Sequence, residues 1–509
     1  MGIVSVIQSA VSSQIQAIYQ VRLSEQEILV SETKPEFQGD YTVVLFALVK
    51  LLKKSPEAIG NELGAALQQA NPSLFPSFNV IKGFLNLEVG NDYWLGFLQE
   101  HHYNERYGYK EPSGKRIMVE YSSPNTNKPL HLGHLRNNFL GWSIAAIHQA
   151  NGDEVIKTCI VNDRGVHICK SMLAWQKFGN GETPVTTGSK GDHFVGDYYV
   201  LFEQELRVQA AKITDQINAG DYSAIAAADA EKLSLFRQKL DDASLPAEKK
   251  KEIEDEIKEI ARNNTPIMNE VREMLLRWEE GDPETLNLWR QMNGWVYEGF
   301  EETYRRIGSD FDKTYYESET YLLGKQFVEQ GLEKGLFTRK EDGSVWIDLS
   351  SDGLDEKLLL RKDGTSVYIT QDLGLAMQKV DDYNIDQSIY VIGDEQNYHM
   401  KVLKLICEKL GIPHAEGIYH LSYGMVDLPS GRMISREGTV VDADDLVNEM
   451  ESIAAKHTLE LGKVKDFTEE ELKELYNMIG LGALKFFLLR VDPKKRMVFN
   501  PEEIGRAHV

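Results

Sequence analysis

Cysteine is scarce: Cys159, Cys169 and Cys407 are the only three among 509 residues. An odd count without a Cys-x-x-Cys spacing excludes a disulfide framework and reads as reduced thiols in a cytoplasmic protein. No apolar run reaches membrane-spanning length, since the best candidate, Val43 to Leu52, is broken by Lys50. The amino terminus lacks a basic leader with a cleavage site, and Val6 stands where a myristoylation signal needs Ser or Thr. Basic charge is in deficit, with a formal net charge of −23, which argues against a general nucleic-acid coat protein. It does not exclude one nucleic-acid partner gripped through a local patch. Internal repeats and low-complexity tracts are missing too. What remains is a globular composition, 42% hydrophobic and 27% charged, in a chain long enough for roughly three domains.

The most informative segment is His131-Leu132-Gly133-His134. It follows an apolar strand and a Ser/Pro/Asn loop, and it opens a helix whose apolar face is Leu135, Phe139, Trp142 and Ala146. A strand–loop–helix entry presents backbone N–H groups and the positive end of the helix dipole to an anion. Two imidazoles add donors for phosphate oxygens, and Gly133 leaves the backbone bare for a flat base. This spacing points to a nucleotide site for chemistry at phosphate. A metal-ligand reading finds no third His, Cys or carboxylate at ligand spacing nearby, so no metal site is expected.

Residues 1–110 form a first α+β unit. Helices are expected over Val4–Tyr19, Val43–Leu52 and Pro56–Gln69, with strands at Gln26–Val30 and Phe78–Val89, the latter turning at Lys82-Gly83. After the linker Glu111-Pro112-Ser113-Gly114 the chain alternates strands and helices over 115–445. Strands are expected at Arg116–Tyr121, Glu154–Ile160, Val345–Asp348, Ser366–Ile369, Gln387–Ile392 and Gly417–Ser422. This alternation predicts an α/β fold, a doubly wound parallel sheet of Rossmann-like type. A charged helical stretch over 196–291 interrupts it as an insertion, and its Glu248–Glu256 run reads as a solvated helix. From 446 to 509 the chain is helical, with Asp442 as the N-cap of Leu446–Lys456. The last five residues look unrelated to what precedes them, as in a shortened chain.

Four further segments fall where open α/β sheets hold their ligands. They are Glu120–Asn125, Tyr368–Asp372 closing one strand, Gly393–Asn397 closing another, and the loop Gly431–Gly438 with its two arginines. Taken in this order with the histidine pair, the chain resembles the arginyl-tRNA synthetases of class I. His131–His134 is similar to the first class signature. Val119–Asn125, Lys128-Pro129 and Leu135-Arg136 are similar to the flanks particular to the arginine enzymes. Leu481–Phe486 through Arg490–Lys495 resembles the entry to their anticodon-binding domain, most of which is then expected to be lacking. The first unit, with Phe37–Tyr41, resembles their domain that contacts the tRNA elbow.

The resemblance implies ATP-dependent ligation of L-arginine to tRNA(Arg) through an arginyl-adenylate, with pyrophosphate and AMP released. ATP with Mg2+ is implied as a substrate complex, with no tightly bound cofactor, and a monomer is expected. A guanidinium needs carboxylates in a dry, fork-shaped site, because bidentate pairing separates arginine from lysine. Glu120 and Asp372 are the candidate acids, with Tyr368 as a wall or hydroxyl partner. The resemblance adds Ser122 to the arginine site, and Asn125 and Gln396 to orient the α-amino and carboxylate groups. It assigns ATP to His131, Gly133, His134 and Met433. Two rivals stand beside this reading: another nucleotidyltransferase sharing the histidine signature, and a non-catalytic tRNA-binding paralogue. The acids speak against a neutral or anionic substrate, and the intact histidine pair against a dead copy.

One departure has a consequence. The second class signature normally carries lysines that reach pyrophosphate, whereas this loop offers Arg432, Ser435 and Arg436, with Ser435 at the second lysine position. In many arginine enzymes a lysine ahead of the first signature is thought to compensate, and Lys128 occupies that place. Lys128→Ala is therefore expected to depress adenylate formation far more than arginine binding, and equal losses in pyrophosphate exchange and arginine titration would refute that role.

Overall fold

The computed structural model describes residues 2–240, 242, 245–428, 441–462, 464 and 466–499, in two compact units, Met1–Tyr109 and Lys110–Val509. Among the described residues no helix is long and apolar enough to cross a membrane.

In the first unit, the Ile3–Tyr19 helix buries Ile7, Val11 and Ile15, one face at i, i+4, i+8, in the same core as the Pro56–Ala70 helix and a sheet. The sheet is antiparallel, with strands in the order Val30–Glu32, Tyr41–Val44, Phe84–Leu87, Phe78–Ile81. Lys82 and Gly83 both adopt positive φ (49° and 85°), the backbone of a tight hairpin turn. Two expectations fail here. Gln26–Val30 is not a strand: Glu25–Glu27 form a short 3-10 turn closed by Ser24 and Glu27, and pairing begins only at Val30. The helix expected from Val43 starts at Phe46, because Val43 and Val44 pair with Leu85 and Phe84 in the sheet. β-Branched residues settle on the pleated surface that the neighbouring hairpin offers.

The second unit is built on a parallel sheet of five strands: β1 (Arg116–Glu120), β2 (Glu154–Val161), β3 (Lys313–Tyr316), β4 (Gln387–Gly393) and β5 (Ile418–Tyr423). Their spatial order is β5-β4-β1-β2-β3, parallel throughout, with the reversal of winding between β1 and β4. That reversal leaves a crevice at the carboxyl ends of β1 and β4, where such sheets bind ligands. β3 was not foreseen: Lys-Thr-Tyr-Tyr is short and half polar, and its pairing with β2 alone makes it a strand.

Two other strand expectations are corrected. Val345–Ile347 is a strand, but of a separate antiparallel sheet with Phe337–Arg339 and Lys357–Leu360. Ser366–Ile369 is not a strand. Ser366 makes one bridge to Leu360, and helix α3 (Tyr368–Tyr383) begins two residues later. Ile369, Leu373 and Ala376 are buried at i, i+4, i+7, so Ile369 belongs to the apolar face of a helix. Asp372 therefore sits on a helix rather than at a strand end.

After β1 comes α1 (Leu132–Ala150). The charged stretch is a set of helices from α2 (Gly191–Ala219) to Pro283–Ile307, two of them opened by Thr265 or Asp282 with proline at the first helical position. Helix α4 (Asn397–Leu410) follows β4. Asp442 caps α5 (Ala443–Leu461) by accepting from the N–H groups of Asp444 and Asp445, and α6 (Glu469–Leu489) packs on α5 and α1.

Arg136, fully buried on α1, donates to the carbonyls of Gly424 (2.5 Å), Lys495 (3.1 Å) and Pro493 (3.3 Å). It joins α1 to the end of β5 and to the segment after α6. Arg136→Met keeps the aliphatic stem but leaves those carbonyls unpaired, and should cost about 3 kcal/mol of stability. Urea unfolding with an unchanged midpoint would contradict this.

Candidate active site

The crevice begins with strain. Immediately after β1, Ser122 and Ser123 both take positive φ, 77° and 47°, each a conformation that costs on the order of 1–3 kcal/mol without glycine. Helix α1 holds them there. Asn137 Oδ1 accepts from the Ser122 N–H (2.5 Å), Asn137 Nδ2 donates to the Val391 carbonyl of β4 (2.7 Å), and Asn138 Nδ2 donates to Ser122 Oγ (3.1 Å). The Ser122 hydroxyl also meets the Tyr304 hydroxyl at 2.6 Å. Ser122 is thus buried in a polar staple and is absent from the wall of the cavity described below.

The two signature histidines cap their own helix. His131 Nδ1 accepts from the Gly133 N–H, and His134 Nδ1 accepts from the His131 N–H, both at 3.1 Å. A backbone N–H is the donor in each bond, so each Nδ1 is bare and each ring proton sits on Nε2. Burial and the Lys128 ammonium push His131 down to about 3. Burial, then His131 and Lys128, hold His134 well below the ordinary imidazole range. Both rings are neutral Nε2–H donors at neutral pH. The expectation of free backbone donors at this helix start is corrected: the His131 and Gly133 N–H groups are used by the rings, and the Leu132 N–H by the Val441 carbonyl. What the pair leaves to offer is the Nε2–H of each ring. A side chain at Gly133 would meet only the His131 ring, at 3.0 Å, so the surface above the glycine is otherwise open.

A cavity of about 330 Å³ is walled by Glu120, Tyr368, Asp372, Tyr390, Gln396 and His399 among others. Four residues singled out in the sequence thus meet from β1, α3 and the turn after β4. Both acids already have partners. Glu120 pairs with Lys379 (2.5 Å), both side chains buried, and Asp372 Oδ2 lies 2.6 Å from His399 Nε2. Tyr368 is shared with an adjoining cleft of about 990 Å³, where Asn125, Gln371, Arg164, Arg361 and Glu317 also lie. Glu317 is pushed up to about 7, chiefly by burial and further by Asp163 and Asp372, against the pull of Arg164. Lys128 and His131 border a third cavity, of about 560 Å³, with Lys190, His193, Asp442 and Asp445. Arg432, Met433, Ser435 and Arg436 lie outside the described residues.

Residues 98–190 and 230–500 match the family model described as tRNA synthetases class I (R), catalytic domain, and residues 5–89 the arginyl tRNA synthetase N terminal domain. The chain is 49% identical over 497 residues to the arginine–tRNA ligase of Bacteroides thetaiotaomicron, covering 97% of this chain and 77% of the relative. With the arginine–tRNA ligase of Amoebophilus asiaticus it shares 49% over 502 residues, 99% of this chain and 78% of that one. The chain belongs to the arginyl-tRNA synthetase family. Among solved structures, Thermus thermophilus arginyl-tRNA synthetase superposes with a TM-score of 0.60 at 21% identity, covering 99% of this chain and 78% of the other. The Plasmodium falciparum arginyl-tRNA synthetase gives 0.57 at 15%, covering 100% and 78%. At such identities these two speak to the class I fold, the α/β architecture anticipated from the strand–helix alternation.

Within this synthetase, sequence reasoning missed Lys379, His399 and Glu317. Lys379 had a signal: it follows Asp372 by seven residues, on the face where Leu375 and Ala376 are buried, and a lysine in an apolar stripe needs a partner. Glu317 had none, because it follows the unforeseen strand β3. Asp192, His193 and Asp444 bring ligand atoms within 4.8 Å of one another, yet Lys190 Nζ bonds both carboxylates, at 3.0 and 2.7 Å. An ammonium stands where a cation would sit.

His193 joins that network to the signature region through Asp442 (3.1 Å), whose backbone bridges His131. The adjacent carboxylates of Asp442 and Asp444 push it up to about 10, against burial. That value lies above the 6.5 of a free imidazole, so its stabilisation is complete below that pH and is lost as pH rises toward 10. Stability measured by urea unfolding should decline between pH 7 and 10, and His193→Gln should flatten the decline. Identical slopes in both proteins would show that His193 is not responsible.

Proposed function

We propose that the Glu120–Asp372 cavity of this arginine–tRNA ligase takes the guanidinium of arginine, and that the signature histidines take the phosphates of ATP. What supports the first assignment is the convergence of two carboxylates with Tyr368 on one small cavity. A planar cation with five N–H donors suits acceptors on two sides, whereas an ammonium is a compact point charge. Gln396, on the same wall, and Asn125, in the cleft reached past Tyr368, are the groups for the amino acid's α-ammonium and carboxylate. Glu317 in that cleft adds a carboxylate within the influence of Asp372, suited to the α-ammonium.

The reaction has two steps. The arginine carboxylate attacks the α-phosphorus of ATP in line and pyrophosphate leaves; the terminal 2′-hydroxyl of the tRNA then attacks the acyl carbon of the adenylate and AMP leaves. The protein supplies position and charge rather than a covalent intermediate. Neutral His131 and His134 donate through Nε2 to phosphate oxygens without adding charge. Magnesium enters with ATP as part of the substrate. Lys128 neutralises the departing pyrophosphate, with Arg432 and Arg436 of the second signature, where Ser435 and Met433 complete the ATP contacts. We assign the enzyme to the cytoplasm, as a monomer acting on tRNA(Arg).

Pyrophosphate exchange with tRNA present should depend on arginine and be negligible with lysine or citrulline. Asp372→Asn should raise the KM for arginine by about tenfold to a hundredfold, with the KM for ATP little changed. Exchange driven equally by lysine, or an Asp372→Asn enzyme with its arginine KM intact, would overturn the guanidinium assignment.

A further inference from the structure

Lys379 does not belong to the cavity wall, yet its Nζ lies 2.5 Å from Glu120 Oε2 and 4.2 Å from the centre of the Tyr390 ring. Its side chain has no exposed surface, and that of Glu120 is 5% exposed. Glu120 faces the cavity from a buried position, and a desolvated carboxylate is costly unless an opposite charge is paired with it. Lys379 is a compensating charge lodged behind Glu120. It engages one oxygen of that carboxylate and leaves the other for a ligand. His399 does the same for Asp372, engaging Oδ2 and leaving Oδ1.

We propose that Lys379 is a positioning residue that sets substrate charge selectivity: by pairing with Glu120 from behind, it keeps that carboxylate ionised and aimed into the cavity, so that a guanidinium is preferred over its neutral urea analogue. The inference rests on the assignment of this cavity to the arginine side chain. Citrulline is the diagnostic ligand, because it replaces one guanidinium nitrogen by a carbonyl oxygen and has nearly the same shape without the charge. With Lys379 ionised, an acceptor-only Glu120 faces that carbonyl oxygen and repels it. Without Lys379, a protonated carboxyl can donate to the same oxygen, and the penalty falls.

The test is calorimetric titration of the full chain with L-arginine and L-citrulline, for the wild type, Lys379→Met and Lys379→Arg, each first checked for cooperative unfolding. Lys379→Met should weaken arginine by about tenfold to a hundredfold while citrulline weakens far less or tightens, so the preference between them collapses. Lys379→Arg should retain the preference. If Lys379→Met does not fold, Lys379→Gln, which keeps a donor but no charge, should show the same collapse. A variant that weakens both ligands alike, or keeps the wild-type preference, refutes the proposal and marks Lys379 as purely structural. Wild-type protein that binds no arginine, or binds citrulline as well, fails at the cavity assignment instead, a distinguishable outcome.

Discussion

Three consecutive buried polar residues on α1 hold the site in its shape. Arg136, Asn137 and Asn138 are at most 6% exposed, and each ties the helix to a different part of the chain. Arg136 collects carbonyls from the end of β5 and from the segment after α6. Asn137 joins the strained Ser122 to β4, and Asn138 links Ser122, the His134 carbonyl and Ser309. Buried polar groups are costly unless satisfied, so these bonds form together or the helix does not dock in this register. The docking carries the histidines on the same helix and aims the exit of β1, and hence Glu120, at the crevice.

Charge is handled differently on the two sides of that crevice. At the histidine pair, burial and Lys128 keep the imidazoles neutral, and the N–H groups they cap leave only Nε2–H unused. A neutral donor binds an anion without a large charge to desolvate. At the cavity of Glu120 and Asp372, each acid has one oxygen engaged by a resident side chain, Lys379 or His399. Partly satisfied carboxylates tolerate an empty cavity better than bare ones would, and still have an oxygen to offer. Both halves store their electrostatics in contacts within the chain, so the site is organised before substrates arrive.

Legibility follows the range of the deciding interaction. The signature helix, the strands β1, β2, β4 and β5, and the helix capped by Asp442 could be read, because periodicity and end signals are local. The convergence of Glu120, Tyr368, Asp372 and Gln396 was anticipated through the family pattern rather than from spacing. Strand β3 and the start of α3 were not legible. Lys313–Tyr316 is a strand only because β2 offers it an edge. Ser366–Ile369 alternates like a strand but is drawn into a helix whose apolar face continues to Ala376.

By itself the sequence determined the α/β class and the histidine pair at a helix start, since each depends on residue type at short spacing, whereas the two distant acids were picked out by the family pattern. The tertiary structure decided which donors of the helix start stay unused, which oxygen of each acid is engaged by a neighbour, and that Ser122 braces the loop instead of lining the cavity. Those outcomes turn on partners such as Val441, Lys379, His399 and Tyr304, which lie far along the chain from the residues they engage. Such contacts exist only once β1, β4 and α1 have packed, because hydrogen bonds and ion pairs act over a few ångströms and carry no mark in the order of the residues.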